Sequence, residues 1–313
     1  MRLSHSLDKT RAVFDDPNLL THAGLVPLMA LAGRAGLPGL LAGVRPAGPC
    51  GAGAATKVAC LPGGMAAGAD SIDDMDLLRD GAMETLLDGV RAPSTLGSHL
   101  RSCTRGNVRQ LDKAHRGLLA ALAGDERLLP GCETLTFTGI DSTQKRVYGY
   151  DKEGAAYGHV KVAGKNLLVK GLNALISVIS TPLSAPVTGP VRLRGGNAGS
   201  ARGAAGLTAE AIAAAREAGP TGKILVRCDS AYCNAAVIGT ARRHGAYFSV
   251  TAPANSSIQA AIASIPEDAR TGIEYPRAIW DDQLACWASD AEVAETSTRR
   301  SPRSRRNSRS PRG

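Results

Sequence analysis

The sequence predicts an α/β chain: a helical N-terminal region over residues 1–130, then an incomplete mixed sheet over 131–252. Three observations predict it. Helical periodicity prevails before residue 130, and β-rich alternation takes over from Thr134. Two short strand-like runs, "TLTFTGID" and "KILVRCD", each close on an aspartate, Asp141 and Asp229.

The helical region carries two informative stretches. "ADSIDDMDLLRDGAMETLLDGV" (69–90) has Ser71 and Asp74 at capping-box spacing, and Ile72, Met75, Leu78 and Leu86 fall roughly on one helical face. Asp73, Asp74 and Asp76 then occupy a first turn, where the helix dipole favours them, a better account of the cluster than a metal site. "APSTLGSHLRSCTRGNVRQLDKAHRGLLAALAG" (92–124) predicts a helix started by Pro93 and Ser94, a break near Gly106 and a second helix. Arg101, Arg105, Arg109 and Lys113 recur every four residues, with Arg116 a short step further. Such a stripe is either a solvated face or a surface for phosphates.

The sheet follows in order. Residues 134–141 alternate as a strand with Asp141 at its end, and "QKRVYGY" (144–150) follows closely enough for a hairpin that sets Lys145 and Arg146 beside that carboxylate. "NLLVKGLNALISVIST" (166–181) predicts a long strand stopped by Pro182. "RLRGGNAGSARG" (192–203) is either a linker or an anion-binding loop opening an Ala-rich helix over about 203–218. A strand at 223–229, a helix near 232–243 and a strand at 246–251 complete the order β-β-β-α-β-α-β, the beginning of a ribonuclease H-like sheet.

Composition bounds the rest. The net charge is +9, but residues 296–313, "TSTRRSPRSRRNSRSPRG", hold seven arginines and no acid, so the body of the chain is nearly balanced. That tail cannot build a core and is expected to be disordered. Seven scattered cysteines without a Cys-x-x-Cys pair argue against a disulfide framework or zinc site and for a reduced, cytoplasmic setting. The N-terminus lacks the apolar core of a signal peptide, and the most apolar stretch, 24–44, is interrupted by Pro27, Arg34 and Pro38, so no membrane partner is expected.

Metal-dependent phosphodiester chemistry uses carboxylates converging on one sheet edge, where two Mg²⁺ ions stand about 4 Å apart. Neighbouring strands lie about 4.8 Å apart, so Asp141 and Asp229 suit that task if their strands are adjacent. Turn aspartates explain the same residues equally well.

The stretches "ADSIDDMDLLRDGAM", "RAPSTLGSHLRS", "GNVRQLD", "GIDSTQKRVYGYDKEGAAYGHVKVAGKNLLVKGLNAL", "STPLSAPV", "RLRGGNAGSARGA", "VRCDSAY" and "YPRAIWDDQLACWASDAEVAE" together resemble bacterial insertion-sequence transposases of the Asp-Asp-Glu type, nearest to the insertion-sequence thirteen-eighty family. The resemblance covers roughly residues 15–295. It implies a ribonuclease H-like fold in which residues 253–295 are the start of a β-rich insertion, catalytic and metal-binding roles for Asp141 and Asp229, and a two-ion Mg²⁺ cofactor. It implies DNA as partner, both terminal inverted repeats and target, with possible homo-oligomers and a nucleoid-associated cytoplasmic location. DNA contacts would fall to Arg101, Arg105, Arg109, Lys113, Lys145, Arg146, His159, Lys161, Lys165, Arg192 and Arg194, with Tyr148 and Lys170 nearby. The adjacent Asp281 and Asp282 do not match the family's catalytic acids. No residue matches the family's glutamate, because the pattern gives way to the Arg/Ser/Pro tail after Glu295. The expectation is therefore a truncated or frameshifted, inactive transposase, or a DNA-binding remnant that inhibits or accompanies a full-length one.

Overall fold

A computed structural model of the chain describes residues 16, 18–48, 51–125, 128–149, 152–162, 164–273, 280–283, 285–287 and 291–297, with backbone alone at 125, 161, 162, 286 and 287. The tail arginines lie outside the described residues, so the expectation of a disordered tail does too.

The N-terminal region contains helices α1 (Leu25–Arg34), α2 (Leu37–Leu41), α3 (Ala54–Ala67), α4 (Met83–Leu86), α5 (Pro93–Ser102) and α6 (Arg105–Asp125). Leu25, Cys60, Met75, Leu78, Met83 and Leu96 form one buried cluster, and Leu41, Val44, Val58 and Ala114 another. The helix expected over 69–90 is instead a 3-10 segment, Asp73–Leu78, followed by α4. Gly81 interrupts it with φ +58, in a spot where a Cβ would stand 2.3 Å from the Leu19 carbonyl. The cap itself forms: Asp74 Oδ2 accepts bonds from Ser71 N and Ser71 Oγ, both at 2.8 Å, and from Asp70 N at 3.1 Å. Those bonds, the Ser71 hydroxyl first, hold the Asp74 carboxyl below its usual range.

From Leu135 the chain builds a sheet of β1 (Leu135–Arg146), β2 (Ala156–Val162), β3 (Lys165–Ser180), β4 (Val187–Gly195), β5 (Lys223–Cys228) and β6 (Tyr247–Val250). Helix α7 (Ala204–Glu217) links β4 to β5, and α8 (Ala235–Arg243) links β5 to β6. Beyond β6 come α9 (Ser256–Ala263) and four two-residue strands, β7 (Thr271–Gly272), β8 (Trp280–Asp281), β9 (Cys286–Trp287) and β10 (Glu292–Val293).

β1 pairs antiparallel with β3 on one edge and parallel with β5 on the other, and β6 adds parallel to β5. The far edge of β3 is shared, with β2 along its first half and β4 along its second. Four strands joined by antiparallel pairing, β1 to β4, followed by two parallel ones joined through helices, make the ribonuclease H-like arrangement. The hairpin expected after Asp141 is absent. Residues 137–146 all pair with β3, so the chain runs straight through Ser142 and Thr143 without a turn. Strands β2 and β4 were not anticipated. They meet end to end where Gly196 passes so close that a Cβ would lie 2.0 Å from the Gly171 carbonyl.

Strand alternation separates the two faces of this sheet. Thr136, Thr138 and Ile140 of β1, Leu175, Ser177 and Ile179 of β3, and Ile224 and Val226 of β5 are buried on the helix side. There α7 presents Ala204, Leu207, Ala211, Ile212, Ala214 and Ala215, whose small side chains let the helix lie close to the strands. Burying each large aliphatic of this layer contributes about 1.5–3 kcal/mol.

Candidate active site

Asp141 and Asp229 occupy equivalent places at the end of the β1–β5 ladder. The last registered pair is Ile140 with Cys228, and the next residue along each strand is an aspartate. Asp141 is therefore mid-way along β1 rather than at its terminus, since β1 continues to Arg146 against β3 alone. Alternation gives Asp141 the side opposite buried Ile140, and Asp229 the side opposite Val226 and Cys228. Both carboxylates are exposed and lie on the sheet face away from α7. On that same face the Arg227 guanidinium stacks over the Phe137 ring at 5.2 Å, which fixes the relative facing of the two strands.

Each carboxylate is held by one of its oxygens. Asp141 Oδ1 accepts from Ser142 N at 2.6 Å, and Asp229 Oδ1 accepts from Ala231 N at 3.0 Å. The second bond caps a 3-10 turn, Ser230–Tyr232. Among the described residues the remaining oxygens accept no hydrogen bond, so both are available to a cation. Cys228, beside Asp229 in the chain but on the helix side of the sheet, is unsuited to that role, because burial pushes its thiol up to about 11, with the nearby Asp229 and Asp141 charges adding to the shift. The donor set is thus hard oxygen, which suits Mg²⁺ or Mn²⁺. The two aspartates present that donor set from neighbouring positions on one exposed face. Among the described residues no group of three or more His, Cys, Asp or Glu side chains comes together, so these residues supply no third acid.

Residues 61–294 match the family described as transposase DDE domain, group 1, over more than half of the chain. The chain belongs to this transposase family. Comparison with curated proteins gave no match. Among solved structures, the crystal structure of the Mos1 strand transfer complex is similar at 14% identity and a TM-score of 0.21, over 66% of this chain and 63% of that one. The chain thus spans under two thirds of that relative, and at so low a score the likeness carries no structural argument.

The transposase fold distributes the basic residues unevenly. Lys145 shares the alternation, and hence the sheet face, of Asp141, whereas Arg146 takes the other parity and lies 5.1 Å from the Tyr148 ring centre. His159 and Lys165 are exposed along the β2–β3 hairpin. Lys161 pairs with Asn166 through its backbone, and its side chain is outside the described residues. Arg192 and Arg194 register with Leu175 and Asn173, both of the helix-side alternation, so they point away from the two aspartates. Arg192 Nη2 lies 2.8 Å from Glu210 Oε1. Arg194 donates to Asn173 Oδ1 and to the carbonyls of Gly199, Ser200 and Arg202. The loop after β4 therefore turns carbonyls inward onto a guanidinium, the reverse of an amide-lined anion nest.

The basic stripe divides as well. Arg109 Nη2 bonds Glu210 Oε1 of α7 at 3.0 Å, and Arg116 is paired with Glu217. The partners advance by seven residues on both helices, two full turns, so α6 and α7 lie side by side and run the same way. Two of the five stripe residues, Arg109 and Arg116, thus belong to a seam between α6 and α7. Arg101, Arg105 and Lys113 remain exposed. Sequence reasoning missed Glu210 and Glu217; their seven-residue spacing, equal to that of Arg109 and Arg116, was the available signal.

Proposed function

We propose that this transposase acts on the DNA ends of an insertion sequence, with phosphodiester cleavage centred on Asp141 and Asp229 and Mg²⁺ as the ion they hold. The observation that carries this reading is the Ile140–Cys228 register, which makes the two aspartates neighbours on one exposed face. Mg²⁺, when bound, supplies the positive charge that stabilises the attacking and leaving oxygens of an in-line displacement. The chain's own residues do the rest. Asp141 and Asp229 each offer a free oxygen to the ion from rigid, hydrogen-bonded positions. Exposure of that face admits a DNA backbone, and Lys145 on the same face offers a phosphate contact. Arg101, Arg105 and Lys113 extend the positive surface on the helical region.

A narrower reading is favoured by one observation, the lack of a third acid beside the pair among the described residues. On it, residues 1–313 bind DNA ends and do not join them to a target. On this reading the chain inhibits or accompanies a complete transposase. Incubating the purified chain with labelled end DNA and Mg²⁺ or Mn²⁺ tests both. Salt-sensitive binding without strand transfer is expected. Strand transfer by these residues alone, abolished by Asp141→Ala, would overturn the narrower reading. Absence of any DNA binding would overturn both.

A further inference from the structure

Tyr232 closes the 3-10 turn that begins at Asp229, and its side chain is 1% exposed. The ring packs among Ile140, Leu175, Leu207 and Val237, under the end of the β1–β5 ladder and on the side of the sheet opposite the carboxylates. Its hydroxyl is buried and makes no hydrogen bond of normal geometry among the described residues. Leaving a buried hydroxyl unpaired is unfavourable, and a phenylalanine would fill the same apolar space without that cost. Ser142 shares the helix-side alternation of Ile140 and is registered with Leu175, and both of those residues pack with the Tyr232 ring, so the Ser142 side chain lies on the phenol's side of the sheet. Ser142 in turn donates its backbone N–H to Asp141 Oδ1 at 2.6 Å.

We propose that Tyr232 is a positioning residue that holds the two aspartates in one frame: its ring fixes the turn carrying Asp229, and its hydroxyl, engaging Ser142 when an ion is bound, fixes the segment carrying Asp141. This rests on the assignment of Asp141 and Asp229 as ion ligands. Residues behind metal ligands commonly set affinity by orienting them, and losing one typically weakens binding 10–100-fold. The unpaired hydroxyl is then explained as a bond completed only in the loaded site.

The test is Mn²⁺ binding to the full 313-residue chain, followed by electron paramagnetic resonance, alongside thermal unfolding. Tyr232→Phe keeps the ring and is expected to unfold at or above the wild-type temperature while binding Mn²⁺ roughly 10-fold more weakly. Ser142→Ala is expected to show a similar loss, and the double variant no further loss, because the two groups act through one link. Wild-type affinity in Tyr232→Phe, or additive losses in the double variant, would overturn the proposal. Asp141→Asn separates this from the underlying assignment. If the wild type binds and Asp141→Asn does not, the ligand assignment stands whatever Tyr232→Phe shows. If Asp141→Asn binds as the wild type does, or the wild type binds no Mn²⁺, the assignment and the proposal both fall.

Discussion

Ile140 of β1 is registered with Cys228 of β5, and the chain continues from each into an aspartate on the open face of the sheet. Parallel strands in register carry equivalent positions side by side, about 4.8 Å apart. The candidate catalytic pair is thus a property of backbone pairing rather than of side-chain rotamers. It survives any local rearrangement that leaves β1 and β5 paired.

The two aspartates should separate function from stability. Both are exposed, and asparagine keeps their size and acceptor capacity, so Asp141→Asn and Asp229→Asn should unfold within about 0.5 kcal/mol of the parent. Asp229→Ala should cost about 1 kcal/mol, since it also removes the cap on Ala231 N. Urea denaturation reads these differences, and Mn²⁺ binding should be lost in all three. A large destabilisation by either asparagine would mean that the carboxylate serves the fold.

Glu210 should matter to stability more than its place on a helix surface suggests. It is one-fifth exposed, and its Oε1 accepts from both Arg109 and Arg192 at 3.0 and 2.8 Å. Burial works to raise its carboxyl, but the two arginines outweigh that and the net shift is downward. Glu210→Ala strands two guanidinium groups and should cost about 1–3 kcal/mol in urea denaturation. The sign for pH follows: a carboxylate with a lowered folded value stabilises above its unfolded value of about 4.3, and that contribution fades as pH falls below it. Glu210→Ala should therefore lessen the loss of stability on acidification.

DNA affinity should divide the basic stripe along the same seam. Reversing Arg101, Arg105 and Lys113 together should lower both affinity and the slope of affinity against salt, because exposed cations release phosphate counterions. Reversing Arg109 should instead lower the unfolding temperature, by placing an acid against Glu210. Gel-shift titrations over a salt series, on a chain lacking residues 299–313, distinguish the two. A triple reversal with unchanged affinity would make those residues a solvated face.

His115 sits on α6, largely buried, and burial lowers its imidazole below the ordinary value of 6.5 against an opposing pull from Asp112. The folded chain therefore holds it neutral where the unfolded chain would protonate it. Its neutrality costs nothing above about pH 6.5, and stability falls as pH drops below that value. The unfolding temperature should decline from pH 7 to 5.5, and His115→Gln should flatten that decline.

Much of the fold was legible because periodicity reports burial directly. The long strand up to Pro182, the Ala-rich helix and the strand at 223–229 each match their expected span closely. Strand β2 was missed because its "AYGHVKV" carries little apolar alternation, and β4 because Pro190 and two glycines read as loop. Their strand character comes from pairing with β3, a tertiary effect. The false hairpin at Asp141 arose from reading Asp-Ser-Thr as turn chemistry, when the β3 ladder overrode it. The two aspartates could be found from sequence because each follows a β-rich run. Their shared face could not, since it depends on register between segments far apart in the chain. The inward use of Arg192 and Arg194 was hidden for the same reason: a parity argument needs strand β4 to exist.

Anomalous diffraction from crystals soaked in Mn²⁺ tests the central claim most directly. A peak bridging Asp141 and Asp229, on the face opposite α7 and absent in Asp141→Asn crystals, is the predicted result. Carboxylates on opposite faces of the sheet, or Mn²⁺ bound elsewhere with both aspartates untouched, would contradict it.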